Sequence, residues 1–375
     1  MNAKEKLAIS AGIIVAVILS SIFYSDSSSL FVESVNDGVQ NSTSSQILRI
    51  GYFPNINHAQ AVIGLGNGTF QKALGKNVDV KTFIFNAGPS AMEALFAKQV
   101  DVTYVGPNPA INAYVVSQGK DLRIISGASS GGAVFVVRND SGIQSTKDFA
   151  NKKFASPQLG NTQDVALRKY LLDNGYKTKE NGGNVEVVPA KPSDILTLML
   201  KKDIDGAWVP EPWGARLIKE ANARLFIDER DLWPPNGQFV TSNIVARTDY
   251  LQNNPDIIKK LLAAHVDETQ WINSHKEEAI KAFNTQLAKI TGKTIPEDEL
   301  NSTLSRMELT YDPIKESLFQ SANDAFDIGF LGKTRPNLTG IYDLKLLDQV
   351  LSEKRLPVIE EEGAGQEQTG VDSVL

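Results

Sequence analysis

The sequence predicts an α/β fold in two halves, each a mostly parallel sheet flanked by helices, joined by a hinge. Three observations carry this expectation. Short apolar strands alternate with helical patterns from Ile47 onward, the signature of parallel sheets covered by helices. The alternation restarts at Phe154-Ala-Ser-Pro157. The first run is too short to fill a sheet of its own, so the helices after Pro255 are expected to complete it. One half is then discontinuous: residues 47–130 plus 240–357 make the first, and 131–239 the second. Connecting segments near 128–138 and 235–245 give two crossings, and paired crossings permit closure over a central cleft.

Each element follows from local pattern. Ile47-Leu-Arg-Ile-Gly51 reads as a strand ended by Pro54, and Val78 to Phe85 alternates as a second. Pro89 to Lys98 is helical, with proline suited to the first turn. Val100 to Val105 is the third strand, Pro109 to Gln118 a helix, and Leu122-Arg-Ile-Ile125 and Ala133 to Val137 are further strands. After Phe154 come a helix from Asp164 to Asn174, a strand Val185-Glu-Val-Val188, a helix Pro192 to Lys202 and a strand Gly206-Ala-Trp-Val209. Phe239 to Arg247 is a strand, and helices dominate from Pro255 to about Glu353.

The flanks differ from this body. Lys4 and Lys6 precede the apolar run Leu7 to Phe23. As a helix the run rises about 25 Å, near the lower limit for a bilayer core. Residues 1–24 are therefore expected to be a signal peptide or an uncleaved anchor, with the rest of the chain outside the cytoplasm. The Ser-rich stretch 25–46 reads as a flexible tether, and residues 358–375 as a disordered acidic tail.

Composition excludes much chemistry. The 375 residues carry 38 Lys and Arg against 44 Asp and Glu, a formal charge of −6, which gives no broad attraction to nucleic acid. There is no cysteine and only three histidines, His58, His265 and His275. Disulfides, thiol nucleophiles and Cys-ligated metals are ruled out. No cofactor and no metal are expected, and no catalytic residue is assigned. A P-loop, a Gly-x-Ser-x-Gly elbow, a Gly-x-Gly-x-x-Gly turn after the first strand and a His-Glu-x-x-His pair are all missing from the sequence.

Ligands of open α/β sheets bind beyond the carboxyl ends of strands. The segments there are Phe53 to His58, Asn86 to Ser90, Gly106 to Pro109, Ser126 to Gly132, Ser156 to Thr162 and Trp208 to Trp213. They are rich in Gly, Pro, Ser, Asn and Thr, and none contains Lys or Arg. Several run straight into a helix, whose first N–H groups and macrodipole hold anions without a side-chain cation. Ser90, Asn108, Ser130, Asn161 and Thr162 add hydroxyl or amide groups, or serve only as caps and turn formers. Tyr52, Phe53, Trp208 and Trp213 either pack against an organic body or fill the core. Glu211, the one acid in these segments, pairs with a ligand amine or caps the helix near Pro212; His58 donates to an anion or caps the helix from Ala59.

The chain resembles the extracytoplasmic solute-binding proteins of ABC importers for nitrate, aliphatic sulfonates and taurine. The resemblance spans about residues 47–357. It rests on Arg49-Ile-Gly-Tyr-Phe-Pro54 with Asn57-His58, Asn86-Ala-Gly-Pro-Ser90 with Glu93-Ala-Leu, and Asp101 to Pro109. It continues through Lys152 to Asn161 and Asp205 to Trp213. What it implies is a periplasmic-binding-protein-like fold of type II, closing on a small anion or zwitterion. The cleft would be lined by Phe53, Asn57 and His58; Gly88, Pro89 and Ser90; Asn108; Ser129 and Ser130; Gln158, Gly160, Asn161 and Thr162; and Trp208 with Glu211. The implied partners are a permease and its ATPase subunit, the membrane through the N-terminal helix, and no nucleic acid, with the chain acting as a monomer. Two other classes stay open. Enzymes that make the thiamine pyrimidine or menaquinone precursors share this fold, though the pyrimidine synthases carry a cysteine-rich segment that this chain lacks. A receptor ectodomain is the third, without a visible signalling module.

Overall fold

The computed structural model describes residues 45–359. The expected anchor, nearly all of the tether and the acidic tail from residue 360 lie outside the described residues. Among those described, no helix is long and apolar enough to cross a membrane.

The chain begins β1 (Gln46–Tyr52), α1 (Ala59–Gly66), α2 (Thr69–Leu74), β2 (Val78–Ile84), α3 (Gly88–Phe96), β3 (Val102–Val105), α4 (Pro107–Val116) and β4 (Leu122–Gly131). A second run follows: β5 (Ala133–Arg138), β6 (Lys153–Ser156), α5 (Thr162–Asp173), β7 (Glu186–Pro189), α6 (Pro192–Leu200), β8 (Gly206–Pro210), α7 (Trp213–Glu220) and β9 (Ala223–Asp228). The chain then returns through β10 (Val240–Arg247), α8 (Thr248–Asn253), α9 (Pro255–Ser274), α10 (Lys276–Thr291), α11 (Glu297–Leu304), β11 (Met307–Leu309), α12 (Lys315–Asp327) and α13 (Lys345–Glu353).

Two sheets result, ordered β11-β4-β10-β3-β1-β2 and β7-β6-β8-β5-β9. The chain crosses between them at Gly131–Ala133 and again between β9 and β10. Parallel pairing was expected to dominate; the sheets are mixed. β1 runs parallel to β2 and β3, and β6 parallel to β7 and β8. The strands next to the crossings pair antiparallel: β10 with β3 and β4, β11 with β4, and β5 with β8 and β9. The strand–helix rhythm of the sequence does not register strand direction, and here the returning β10 runs against both of its neighbours.

Strand periodicity divides the cores. In the first sheet Leu48, Ile50, Tyr104, Ile244 and Ala246 face one layer, built with α1 and α9, while Val105 and Val245 face the other, built with α3, α4 and α12. In the second, Val134, Val136, Ala207 and Val209 pack with α6 and α7. Phe135, Val137, Phe154 and Trp208 pack on the opposite face, with Leu167 and Leu171 of α5. Residues two apart on a strand share a face, so each sheet is covered on both sides.

The segment Ser126 to Gly132 departs from its expected loop. Ser126 to Gly131 is the second half of β4, paired antiparallel with β10, with shifts of register along the ladder, and with β11. Its small residues admit a close neighbour: a Cβ on Gly127 would sit 2.0 Å from the Asp312 carbonyl oxygen.

Candidate functional site

Between the two sheets lies a narrow cavity lined by Phe53, Asn57, His58, Ala87, Gly106, Asn161, Thr162, Gln163, Pro192 and Thr241, among others. Its open space is small, about 20 Å³. Four helices start on its wall. Ala87 caps α3, Gly106 caps α4, Asn161 caps α5, and Pro192 is the first residue of α6. The first N–H groups of a helix have no acceptor within it, and the peptide dipoles add to a partial positive charge there. No Lys, Arg, Asp or Glu lines this cavity. Any positive potential in it comes from these helix starts and not from a formal charge.

The closing wall is held by direct bonds across the cleft. The Gly88 N–H donates to Asn161 Oδ1 at 3.1 Å, and Ser90 Oγ to Gln158 Oε1 at 3.0 Å. Thr162 approaches Gly106 so closely that a Cβ there would lie 2.2 Å from Thr162 Oγ1. On this wall the buried Thr162 hydroxyl has no partner and is free to donate, while the unpartnered Asn57 Oδ1 can only accept. A buried hydroxyl without a partner costs free energy that a bound anion can return. Asn57 Nδ2 and the Thr241 hydroxyl both donate to the Gly131 carbonyl, at the first crossing.

His58 is the one titratable side chain on the wall. Its Nδ1 accepts the Phe53 N–H at 3.1 Å, so the neutral ring carries its proton on Nε2. The Phe53 ring stacks on it at 4.5 Å. Burial pushes its pKa down to about 3, which keeps it a neutral donor at ordinary pH. Tyr104 lies 5.9 Å behind His58 and shares a hydrogen bond with Nδ1 of His265 at 3.0 Å. His265 Nε2 faces the Gly127 carbonyl at 3.0 Å, so Nε2 bears the proton and Nδ1 accepts from the Tyr104 hydroxyl.

The sequence-selected residues divide into two groups. Phe53, Asn57, His58, Asn161 and Thr162 meet on the cavity wall. Gly88, Pro89 and Ser90 open α3 and face Gln158 and Asn161 across the cleft. Gly160, at a φ of 76°, turns the chain into α5 and gives its N–H to Asp164. The others are placed elsewhere. Asn108 spends its amide donor on the Ser321 carbonyl of α12 at 3.0 Å. Ser129 is fully buried within β4. Ser130 accepts the Phe239 N–H and borders a separate cavity with Arg230 and Lys276.

Trp208 and Glu211 require correction. Trp208 stacks on its cross-strand partner Phe135 at 5.2 Å, is fully buried, and donates Nε1 to Glu229 at 2.6 Å. It fills the aromatic core of the second sheet, the other reading of that residue. Glu211 caps α7 by accepting the Ala215 N–H at 3.0 Å, and pairs with Arg306, whose Nε lies 2.9 Å away. Its cationic partner is this chain's own arginine, so it gives no reason to expect a ligand amine at that point.

Residues missed at the sequence level include Gln163 and Thr241, both on the wall. Asn55 and Asn86 were within the expected loops but not singled out. They also border a second, larger cavity of about 670 Å³, together with Pro192, Trp213, Phe85, Ile295 and Glu299. Trp213 donates Nε1 to Asn55 Oδ1 at 3.3 Å, tying this outer space to the inner one.

A model of the NMT1-like family matches residues 41–288. The chain is 24% identical over 273 residues to the taurine-binding periplasmic protein of Escherichia coli, covering 70% of this chain and 81% of that one. It is 24% identical over 284 residues to a putative aliphatic sulfonates-binding protein of Bacillus subtilis, covering 74% and 80%. Among solved structures, the alkanesulfonate-binding protein SsuA of Xanthomonas axonopodis pv. citri, bound to MOPS, superposes with a TM-score of 0.67 at 17% identity. The match covers 80% of this chain and 98% of that one, and shows the shared fold.

Proposed function

Because this chain belongs to the NMT1-like family, we propose that it is the substrate-binding component of an ABC importer. It captures a small oxyanion or zwitterion of the sulfonate, taurine or nitrate type outside the cytoplasm and delivers it to a membrane permease driven by an ATPase subunit. The observation that carries this reading is the inner cavity: four helix starts from two sheets around one space with no charged side chain. Peptide dipoles and uncharged donors suit a weakly basic anion, which a lysine or arginine would hold more tightly and release more slowly.

The mechanism is closure. The ligand meets the donors of one half, and the second half adds its own, so the closed form gains contacts that the open form lacks. The Gly88–Asn161 and Ser90–Gln158 bonds lie where the halves meet. In this reading the chain makes and breaks no bond in its ligand, and His58, held neutral by burial with Nδ1 already occupied, serves as a donor. The names of the relatives support a binding role and an extracytoplasmic location.

The test is thermal unfolding of the full-length chain with taurine, ethanesulfonate and nitrate. A true ligand at 100 times its Kd adds about 2.7 kcal/mol of stability and raises Tm accordingly. No shift with any of the three sinks this reading, and turnover of a bound compound would favour the enzyme class of the same fold.

A further inference from the structure

The two crossings between the sheets are built alike, and two adjacent residues touch both. The first crossing contains Gly131 and Gly132, with φ of 71° and 72°, a conformation that side chains disfavour. The second contains Gly237, at 70°. Ser305 and Arg306 lead from α11 into β11. The Arg306 carbonyl accepts the Gly132 N–H at 2.9 Å, and a Cβ on Gly131 would sit 2.6 Å from the same oxygen. The Ser305 carbonyl accepts from Nη1 of Arg230 at 3.1 Å. Arg230 opens the second crossing and pairs at 2.6 Å with Asp228, the last residue of β9. Two neighbouring carbonyls thus hold both crossings.

The Arg306 side chain adds a second tie to the first crossing. Its Nε and Nη2 both donate to Glu211 Oε1, Nε at 2.9 Å, and its Nη1 donates to Ser302 Oγ at 3.0 Å. Glu211 belongs to the other half, and its N–H donates to the Gly132 carbonyl at 2.9 Å. Its Oε2 accepts the Ala215 N–H at 3.0 Å and the Thr303 hydroxyl at 3.4 Å. Glu211 is fully buried, and the Arg306 side chain is 13% exposed. Such a buried pair repays little beyond its own desolvation, so its use lies in fixing one geometry. With each guanidinium nitrogen engaged, Arg306 has one orientation relative to Glu211.

We propose that Arg306 is a positioning residue for closure. With Glu211 it pins the first crossing, and the Ser305 carbonyl ties the second to it, so the halves turn about a single axis. Atoms beside an axis move least, so the pair persists in the open and closed forms. This rests on the closing cleft proposed above and assigns the residue that keeps its motion to one path.

A distance measurement on the full-length chain tests it. The sequence has no cysteine. Ser193→Cys on α6 and Lys293→Cys after α10, both on the wall of the outer cavity, therefore give one spin-label pair across the halves. Pulsed electron paramagnetic resonance reads their distance distribution without ligand and with ethanesulfonate. The labelled parent should give a narrow distribution in each condition. Glu211→Gln combined with Arg306→Gln removes both charges, so neither is left buried alone. It should broaden the ligand-free distribution roughly twofold, as a hinge without its pin gains a second direction of motion. Arg306→Lys keeps the charge, loses the fork and should broaden it less. Ile195→Ala, a buried core change in the second half, should lower Tm and leave the width unchanged. Unchanged width in the double variant, or equal broadening in Ile195→Ala, overturns the pin. If the double variant does not fold, unchanged width in Arg306→Lys overturns it instead. If ethanesulfonate leaves the parent distribution unmoved while Arg306→Lys still broadens it, the proposed capture of this anion fails and the pin stands.

Discussion

The inner and outer cavities meet at Asn55, Asn86 and Pro192, yet they are built on different electrostatics. The inner one has no charged side chain and gains its positive potential from the starts of α3, α4, α5 and α6. The outer one carries Arg216, Glu220, Lys293 and Glu299. Charge on a wall and potential in a cavity are separate quantities. A formal charge is visible as a letter in the sequence, whereas aligned peptide dipoles appear only when several helix starts converge.

Tryptophan separates the two regions most strongly. Trp208 and Trp213 are five positions apart, but the strand turns the first into the core and the start of α7 leaves the second half-buried on the outer wall. Trp208→Ala should cost about 3–5 kcal/mol of stability, as large-to-small core changes do. Trp213→Ala should cost under about 1.5 kcal/mol, within the ordinary range for a partly exposed side chain. Urea unfolding of both variants checks this, and equal losses would erase the distinction between core and wall.

Gly106 sharpens the contrast from the inner side. Gly106→Ala places a methyl group 2.2 Å from Thr162 Oγ1, so the two halves have to part. Affinity for ethanesulfonate should fall roughly a hundredfold, about 2.7 kcal/mol, with a smaller change in unfolding midpoint. Unchanged affinity by calorimetry would show that this contact does not set closure.

Much of this was legible in the sequence because strands and helices differ in period. β1, β2, β3 and β10 follow the apolar alternation closely, and Asn161, Thr162, Asn57 and His58 reach the cavity because they follow strands at their carboxyl ends. Ser126 to Gly132 was not legible. Its Gly and Ser content is that of a turn, but those small side chains serve the close approach of Asp312 and the pairing with β10 and β11. The Glu211–Arg306 pair joins residues 95 positions apart, and no local pattern marks it. Trp208 shows that position alone does not set facing: Pro210 of the same segment lines the inner cavity, while the Trp208 side chain belongs to the face shared with Phe135.

The most direct test of the uncharged cradle is the affinity for ethanesulfonate, a permanent anion, measured by calorimetry from pH 5 to pH 8. His58 is the one titratable group on the inner wall, and burial holds its pKa near 3, so it stays neutral throughout this range. The dissociation constant should be flat across it. A progressive loss of binding as pH rises through about 6.5, where an ordinary histidine gives up its proton, would show that a side-chain cation holds the anion and would contradict the account.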